Sequence, residues 1–203
     1  MENMFNCNFP NYGFVACDLT DDEFLPLLEE INDIQNNFDS KTRVNNDLIG
    51  NIENEFKLER NRENLQILSN KLIKLYNETH NLRDDNNYEL LGTWANFQKK
   101  HEFNPVHTHL GKYSFVIYVK IPFLMKDELE YIKNVPSHFN RTAHFNFHYT
   151  NSLGEIRDWP IPVDKTYERR MMLFPAKMSH SVCPFFTSDE YRVSVSGNLD
   201  IKK

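Results

Sequence analysis

Two histidines one residue apart, His107 and His109, stand directly before an apolar run in the segment NPVHTHLGKYSFVIYVKIP. Alternate side chains of a strand point to the same face, so the pair would present two imidazoles to one cation. A third nitrogen donor, His180, lies in LFPAKMSHSVCPF, where we expect it at a strand end. Three imidazoles with open coordination positions suit Fe(II), Zn(II), Cu or Ni. We therefore predict a metal site at these three residues.

Ordinary hydrogen bonding in the core or at the surface is the alternative role for a His-X-His pair. The chain uses histidine freely, with five more at His80, His101, His138, His144 and His148. Of these, His144 and His148 share one face of HFNFHYT. They could line the same cavity as the metal site, or they could be polar members of a half-buried strand.

A guanidinium inside an otherwise apolar strand distinguishes the segment YRVSVSGN, in which Arg192 has Ser194 on its own side. A buried charge without a partner is costly, so Arg192 needs one. A salt bridge to one of the 29 acidic residues would supply it. A small dicarboxylate, bound bidentately with the serine hydroxyl assisting, would also supply it. The position of Arg192 one strand after His180 favours the dicarboxylate.

The elements that must position these side chains begin with an α-rich part. GFVACDL predicts a short strand, and Thr20 and Glu23 have the spacing of a capping box that starts a helix. Leucines at helical spacing predict a second helix through ENLQILSNKLIKLYNETHN. The polar, Asn-rich stretch 36–62 between them predicts a long loop that carries the short element LIGNIENEF.

A β-rich part follows after about residue 88, as short runs separated by Pro, Gly, Asn and Asp. The runs are YELLGTWANFQKK, YSFVIYVKI, HFNFHYT, RMMLFP, HSVCPFF and YRVSVSGNL. Such a series is typical of an antiparallel sandwich or barrel. We predict one domain over residues 1–203, with an α-rich part over 1–87 packed on a β core over 88–203. The segments 123–140 and 150–168 are predicted to be loops, and in such an architecture loops of this kind would set ligand choice.

The composition is that of an ordinary globular chain of 203 residues, 40% hydrophobic and 26% charged. A formal net charge of −6 and the lack of a basic stripe argue against nucleic acid as a partner. No signal peptide and no membrane span are predicted, so we expect a cytoplasmic protein without a membrane partner. Cys7, Cys17 and Cys183 are odd in number and far apart, which indicates reduced thiols.

Taken in order, TWANF, HTHLGKYSFVIYVKIP, LFPAKMSH and YRVSVSGN resemble the Fe(II)/2-oxoglutarate-dependent oxygenase superfamily. The resemblance is closest to a group of such oxygenases common in marine bacteria and their phages. It also includes NNDLIGNIENEF and covers most of residues 45–200. It implies an α+β, mainly β fold: a double-stranded β-helix, or cupin-like jelly roll, with N-terminal supporting helices.

The resemblance also implies the cofactors and the reaction. His107 and His180 would bind Fe(II), while Arg192 and Ser194 would bind the distal carboxylate of 2-oxoglutarate. The enzyme would be a dioxygenase that uses O2 to hydroxylate an unidentified small molecule or a protein or peptide side chain. Oxidative decarboxylation of 2-oxoglutarate to succinate would accompany this reaction.

Four further residues are candidates for the pocket. Ser114 and Tyr118 share one face of YSFVIYVK, and either hydroxyl could reach the cosubstrate. Trp94 and Phe97 could form its wall. Core packing is the alternative role for all four.

The sequence departs from the family pattern at His109, where a carboxylate is usual. His109 could bind as a third imidazole, stay off the metal while water fills the gap, or leave its place to a carboxylate from elsewhere. Strand parity with His107 favours the first outcome, although Gly111 could break that parity. The alternative functions are a three-histidine cupin-like metalloprotein that acts without 2-oxoglutarate (an isomerase, thiol dioxygenase or binding module) and a catalytically silent sandwich. His109 favours the cupin-like protein, and the pair Arg192 and Ser194 opposes it.

Overall fold

A computed structural model describes residues 13–38, 42–45, 48–136 and 141–202 of the chain. The helices in this part are α1 (Asp21–Asn36), α2 (Arg62–Thr79) and α3 (Met125–Tyr131). The first strands are β1 (Val15–Asp18), β2 (Asn54–Lys57), β3 (Tyr88–Gln98), β4 (Asn104–His107) and β5 (Tyr113–Lys120). The later strands are β6 (His144–Thr150), β7 (Ile156–Pro162), β8 (Arg170–Pro175), β9 (Ser179–Val182) and β10 (Arg192–Ile201).

The strands form two antiparallel sheets. One sheet has six strands in the order β1-β8-β5-β10-β3-β2, and the other has four in the order β4-β9-β6-β7. Apart from β2 with β3 and β6 with β7, neighbouring strands are not consecutive in the chain, which is the connectivity of a jelly roll. The fold is therefore the double-stranded β-helix that the sequence predicts, with supporting helices.

Two hydrophobic clusters hold these layers together. Helices α1 and α2 cover the outer face of the six-stranded sheet, where Leu27 and Leu72 share a cluster with Ile117. The second cluster lies between the sheets and includes Phe145 and Phe174. Core side chains fill only part of the space between the sheets. The remainder is the cavity described below.

Strand alternation divides β10 between core and cavity. Val193 and Val195 are fully buried on the helix side of the sheet. Arg192, Ser194 and Ser196 point to the opposite face and line the cavity. The period of two thus lets one strand serve both the core and the site.

The α-rich part forms as predicted and also adds strands to the sheet. The backbone N–H of Thr20 donates to the Glu23 carboxylate at 3.1 Å, as a capping box requires, and α1 starts there. Strands β1 and β2, from the first 87 residues, pair with β8 and β3. That the whole chain is one domain stays a prediction.

Both segments predicted to be loops contain regular structure. The segment 150–168 holds strand β7, and its prolines Pro160 and Pro162 obscured this in the sequence. Because β7 is an edge strand, one side of its backbone needs no ladder hydrogen bonds and proline is tolerated. Helix α3 occupies part of the segment 123–140.

Two further sequence predictions concerned membrane spans and cysteines. None of the helices in the described ranges is both long enough and apolar enough to span a membrane. Cys17 and Cys183 are free thiols. Cys7 and His138 lie outside the described residues.

Candidate active site

Three histidine side chains, His107, His109 and His180, come together between the sheets. Their candidate ligand nitrogens all lie within 4.8 Å of one another. The Nε2 atoms of His109 and His180 are 3.1 Å apart. Two nitrogens bound at right angles to one ion, each at about 2.1 Å, lie about 3 Å apart. The spacing of this pair is therefore that of neighbouring ligands on a single metal ion.

Two of the histidines are placed by paired strands. His107 on β4 and His180 on β9 are direct cross-strand partners in an antiparallel ladder. Side chains at such positions lie on the same face, with Cβ atoms about 5 Å apart. The short strands β4 and β9 therefore bring two imidazoles together although they are far apart in the sequence.

His109 reaches the cluster from a loop, because β4 already ends at His107. Its backbone N–H donates to the carbonyl of Ala176 at 2.8 Å, which attaches the loop to the end of β8. Gly111 has a φ of +82°, and a Cβ at this position would lie 2.4 Å from the Leu199 carbonyl oxygen. A glycine-dependent turn, and not the strand parity used in the sequence prediction, thus directs His109.

Hydrogen bonds orient two of the three rings. The Nδ1 atom of His107 lies 2.7 Å from the carbonyl oxygen of Pro105, and Nδ1 of His180 lies 2.9 Å from that of Met178. A carbonyl only accepts, so these contacts assign the ring proton to Nδ1. In both residues Nε2 is then left with a free lone pair, the arrangement that metal-binding histidines use.

Burial keeps the three imidazoles neutral. It lowers the pKa of His180 to about 3 and that of His109 to about 4, from an ordinary value of 6.5. The pKa of His107 is lowered by the same cause. The ring of His180 also stacks on Phe145 with centroids 5.3 Å apart. Neutral imidazoles are the form that binds a metal ion, so this cluster can hold one at neutral pH.

No carboxylate belongs to the cluster among the described residues. Three neutral ligands leave the double charge of a divalent ion uncompensated in a partly buried site. Such a centre favours an anionic ligand in its open positions.

A cavity of about 270 Å³ adjoins the histidines and contains a buried guanidinium, that of Arg192. Arg192 is only 4% exposed. It donates to the side-chain oxygen of Gln98 and to the carbonyls of Ala143 and Cys183, at 3.3 and 3.2 Å for the carbonyls. None of the described residues gives it a carboxylate. Burial lowers its pKa to about 10, so it still carries its charge at neutral pH.

Several groups at the Arg192 guanidinium can still donate hydrogen bonds. These contacts leave one N–H group on Nη1 of Arg192 without an acceptor in the described chain. The hydroxyl of Tyr118 lines the same cavity, is buried and has no hydrogen-bond partner among the described residues. Burial raises the pKa of this phenol, which keeps it protonated as a donor. Ser194 adds a hydroxyl that contacts Asn96 at 3.3 Å.

The other predicted pocket residues divide between the cavity and the core. Trp94 lines the cavity with its ring centroid 5.8 Å from that of His109. Phe97 is buried in the outer cluster under the helices. The Ser114 hydroxyl donates to the side chain of Asn198, which itself lines the cavity. Ser114 is thus separated from the cavity by one side chain.

His144 and His148 lie on the face of β6 that points away from the cavity, while Phe145 lines it. His148 contacts the Asp158 carboxylate at 2.7 Å and the Ser181 hydroxyl at 2.9 Å. Of the two roles considered for this pair, the structure therefore supports that of polar members of a half-buried strand.

Several cavity residues were not found from the sequence. Asn96 and Gln98 are register partners of Ser194 and Arg192, so the alternation of polar residues along β3 was a usable signal. Glu55 and Asn104 offered no comparable signal, since their strands are four residues long.

Three solved structures are similar to this one over nearly the whole chain. A prolyl-4-hydroxylase from Pseudomonas putida has a TM-score of 0.57 and 12% identity, covering 94% of each chain. A 2OG-Fe(II) oxygenase family oxidoreductase from Burkholderia pseudomallei has a TM-score of 0.56 and 13% identity, covering 97% of this chain and 93% of that one. The viral collagen prolyl hydroxylase of Paramecium Bursaria Chlorella virus-1, solved with 2OG, has a TM-score of 0.51 and 13% identity, covering 93% and 96%. At these identities the likeness establishes the fold.

A match to a protein-family model shows which family the chain belongs to. No curated protein is significantly similar to the chain. The model described as "Putative 2OG-Fe(II) oxygenase" matches residues 92–198, which include the three histidines and Arg192. The cofactors of this family are Fe(II) and 2-oxoglutarate, and the donor set of the site fits both. Because the match covers more than half of the chain, the protein belongs to the 2OG-Fe(II) oxygenase family.

Proposed function

We propose that the protein is a dioxygenase that hydroxylates a small molecule or a side chain of a protein or peptide. In this proposal His107, His109 and His180 hold Fe(II). Arg192 and Ser194, with Tyr118, bind the distal carboxylate of 2-oxoglutarate. Ser114 acts on the cosubstrate only indirectly, through Asn198.

Arg192 is the residue that carries this proposal. Its guanidinium is buried, its described hydrogen-bond partners are neutral oxygens, and the Glu128 carboxyl acts on it through space without forming an ion pair. A buried charge without a counterion is strongly unfavourable, so the cavity favours an anion. A carboxylate that accepts from the free N–H of Arg192 and from the Tyr118 hydroxyl would satisfy both groups.

The positions of these donors support one carboxylate-binding patch. Tyr118 and Ser194 are direct register partners on β5 and β10. Arg192 lies two residues before Ser194 and therefore on the same face. The patch and the histidines line the same cavity, so one small dicarboxylate could contact both.

Fe(II) and 2-oxoglutarate supply the O2-dependent oxidation of a C–H bond, with succinate and CO2 as coproducts. The protein's part is to orient these groups and to exclude water. Phe145 packs on His180 and fixes the plane of its ring. The apolar side chains of Phe174 and Val116 form part of the cavity wall. They limit the access of water to the reacting centre.

A prolyl residue in a peptide is one substrate class to test first. Two of the structurally similar proteins are prolyl hydroxylases. Their low identity means that this choice rests on a shared fold, and small molecules belong in the same screen.

The experiment is an assay of O2-dependent succinate formation with purified protein, Fe(II), 2-oxoglutarate and a panel of proline-containing peptides and small metabolites. We expect slow succinate formation alone, faster formation with a substrate, and a product heavier by one oxygen atom. The variants His107→Ala and His180→Ala should abolish turnover. Turnover that persists in both variants would contradict the proposed metal site.

A further inference from the structure

A second polar region lies at another part of the cavity wall, formed by Glu55, Asn96 and Asn104, here called the acceptor end. Glu55 is 1% exposed and Asn96 is 5% exposed. Polar side chains this deeply buried normally have hydrogen-bond partners inside the protein. The acceptor end departs from that rule.

Glu55 lies far from the proposed cosubstrate patch, whereas Asn96 stands between the two and contacts Ser194 at 3.3 Å. Tyr118, Ser194, Asn96 and Glu55 are successive register partners on β5, β10, β3 and β2. Neighbouring strands lie about 4.8 Å apart, so this row places Glu55 about 14 Å from Tyr118. Residues at the far end of the row are therefore free to contact the substrate.

The oxygens of the acceptor end lack donors. The Oδ1 atoms of Asn96 and Asn104 are buried and have no hydrogen-bond partner among the described residues. One oxygen of Glu55 accepts from the Asn45 side chain at 3.3 Å. No described residue donates a hydrogen bond to the other oxygen. All three side chains can thus accept further hydrogen bonds from a ligand.

The Glu55 carboxyl also lacks a cationic partner among the described residues. The described residues form no ion pair between Glu55 and a Lys or Arg. Burial and the nearby negative charge of Glu102 raise the pKa of Glu55 to about 8. A cation bound beside this carboxyl would favour its charged form and would lower that pKa.

We propose that the acceptor end binds a protonated amine or a guanidinium of the substrate. This assignment rests on the proposed function, because it takes the cavity to be the substrate site of an oxygenase. A guanidinium carries five N–H donors and an ammonium three, which suits a set of side chains that accept. Ile49 and Leu110, exposed by 56% and 74%, line the same cavity and would contact the apolar stem of such a substrate.

The test measures binding by anaerobic calorimetry to protein loaded with Fe(II) and 2-oxoglutarate. The probes are n-butylguanidinium with its neutral counterpart n-butylurea, and n-hexylammonium with its neutral counterpart hexan-1-ol. We expect each cation to bind about tenfold more tightly than its neutral counterpart, since a buried charged pair is stronger than a neutral contact. Glu55→Gln should remove this preference, because it keeps the shape of the side chain and deletes its charge.

Glu53→Gln is the matched control. Glu53 lies two residues before Glu55 and is exposed, so its variant removes one negative charge from the same segment without changing a residue that lines the cavity. This variant should keep the preference for the cations. Binding of neutral and charged probes with equal affinity, or no saturable binding of either cation, would overturn the proposal.

The cosubstrate is monitored in the same samples through the visible charge-transfer band of iron-bound 2-oxoglutarate. A normal band in a protein that shows no preference for the cationic probes would contradict only the proposed cation site at the acceptor end. A missing band would contradict the proposed function. The cation titration on protein with metal only would then still decide whether Glu55 binds a cation.

Discussion

At the scale of single residues, His109 stands where the 2-His-1-carboxylate sites of non-haem Fe(II) oxygenases lead us to expect a carboxylate. An imidazole in place of a carboxylate leaves one more positive charge at the metal. The 3.1 Å contact between Nε2 of His109 and Nε2 of His180 supports a third nitrogen ligand. The alternative of a carboxylate from elsewhere finds no candidate in the cluster among the described residues.

If His109 is a ligand, His109→Ala should weaken Fe(II) binding by about tenfold or more, as His107→Ala should. His109→Asp should restore much of the affinity, because it supplies the carboxylate that the family usually has. Anaerobic equilibrium titration with Fe(II) measures this. An affinity in His109→Ala equal to that of the unmodified protein would remove His109 from the metal shell.

The buried histidines also predict an acid sensitivity of the metal-free protein. The folded-state pKa of His180 is about 3, below its ordinary value of 6.5. Below pH 6.5 the unfolded chain therefore binds a proton that the folded chain does not. The stability contribution is complete above pH 6.5 and is lost as pH falls toward about 3.

Between pH 7 and pH 5 His180 alone should cost about 2 kcal/mol of unfolding free energy. Urea unfolding at the two pH values measures this, with His180→Gln as the comparison. The variant should lose part of the pH dependence. An unchanged pH dependence in the variant would contradict the burial argument.

At the scale of elements, strand alternation made part of the site predictable. The period of two in β10 correctly placed Arg192 and Ser194 on one face, and the same rule placed Tyr118. The predicted grouping of His109 with His107 is observed, but alternation is not its cause, because β4 ends before His109. Alternation missed Glu55, whose strand is four residues long, too short for a period to be read. Loop direction depends on contacts such as that of Gly111 with Leu199, which sequence spacing does not encode.

Gly111→Ala should displace the loop that carries His109. The substitution introduces a side chain at a positive φ and places its Cβ against the Leu199 carbonyl. Gly154→Ala is the matched control, since its φ is +79° and nothing lies within 4 Å of the added Cβ. Both should lose about 1 to 2 kcal/mol of stability from backbone strain, and Gly111→Ala should lose more because of its contact with the Leu199 carbonyl.

Only Gly111→Ala should also weaken Fe(II) binding. Chemical unfolding measures the strain, and Fe(II) titration measures the site. Equal iron affinity in the two variants would show that the turn does not direct His109.

At the scale of the whole molecule, the predicted division at residue 87 describes composition better than architecture. Both parts contribute to the six-stranded sheet, because β1 and β2 pair with β8 and β3. Helical residues such as Leu27 and Leu72 share a cluster with Ile117 on the sheet. The order of motifs predicted the jelly roll, but β7 was missed because edge strands tolerate the prolines that suggest a loop.

A shared core predicts that helices and sheet unfold together. Leu72→Ala should lower the free energy of unfolding by about 2 to 5 kcal/mol, because it leaves a cavity between α2 and the sheet. Far-ultraviolet circular dichroism and tryptophan fluorescence should report one coincident transition in the unmodified protein and in the variant. Two separated transitions would contradict the prediction of a single domain.

The central claim, that this cavity binds Fe(II) and 2-oxoglutarate through the named residues, is tested most directly by an anaerobic titration. Fe(II) and then 2-oxoglutarate are added to the metal-free protein while the visible charge-transfer band is recorded. The matched variants are Arg192→Ala and Arg157→Ala, the latter at a side chain that is 55% exposed.

The account predicts a saturable band in the unmodified protein and in Arg157→Ala. In Arg192→Ala it predicts that a much higher 2-oxoglutarate concentration is needed to form the band, while Fe(II) binding is nearly unchanged. An equal loss of Fe(II) binding in Arg192→Ala would make the arginine structural. A protein that binds Fe(II) but shows no band at any 2-oxoglutarate concentration would contradict the account.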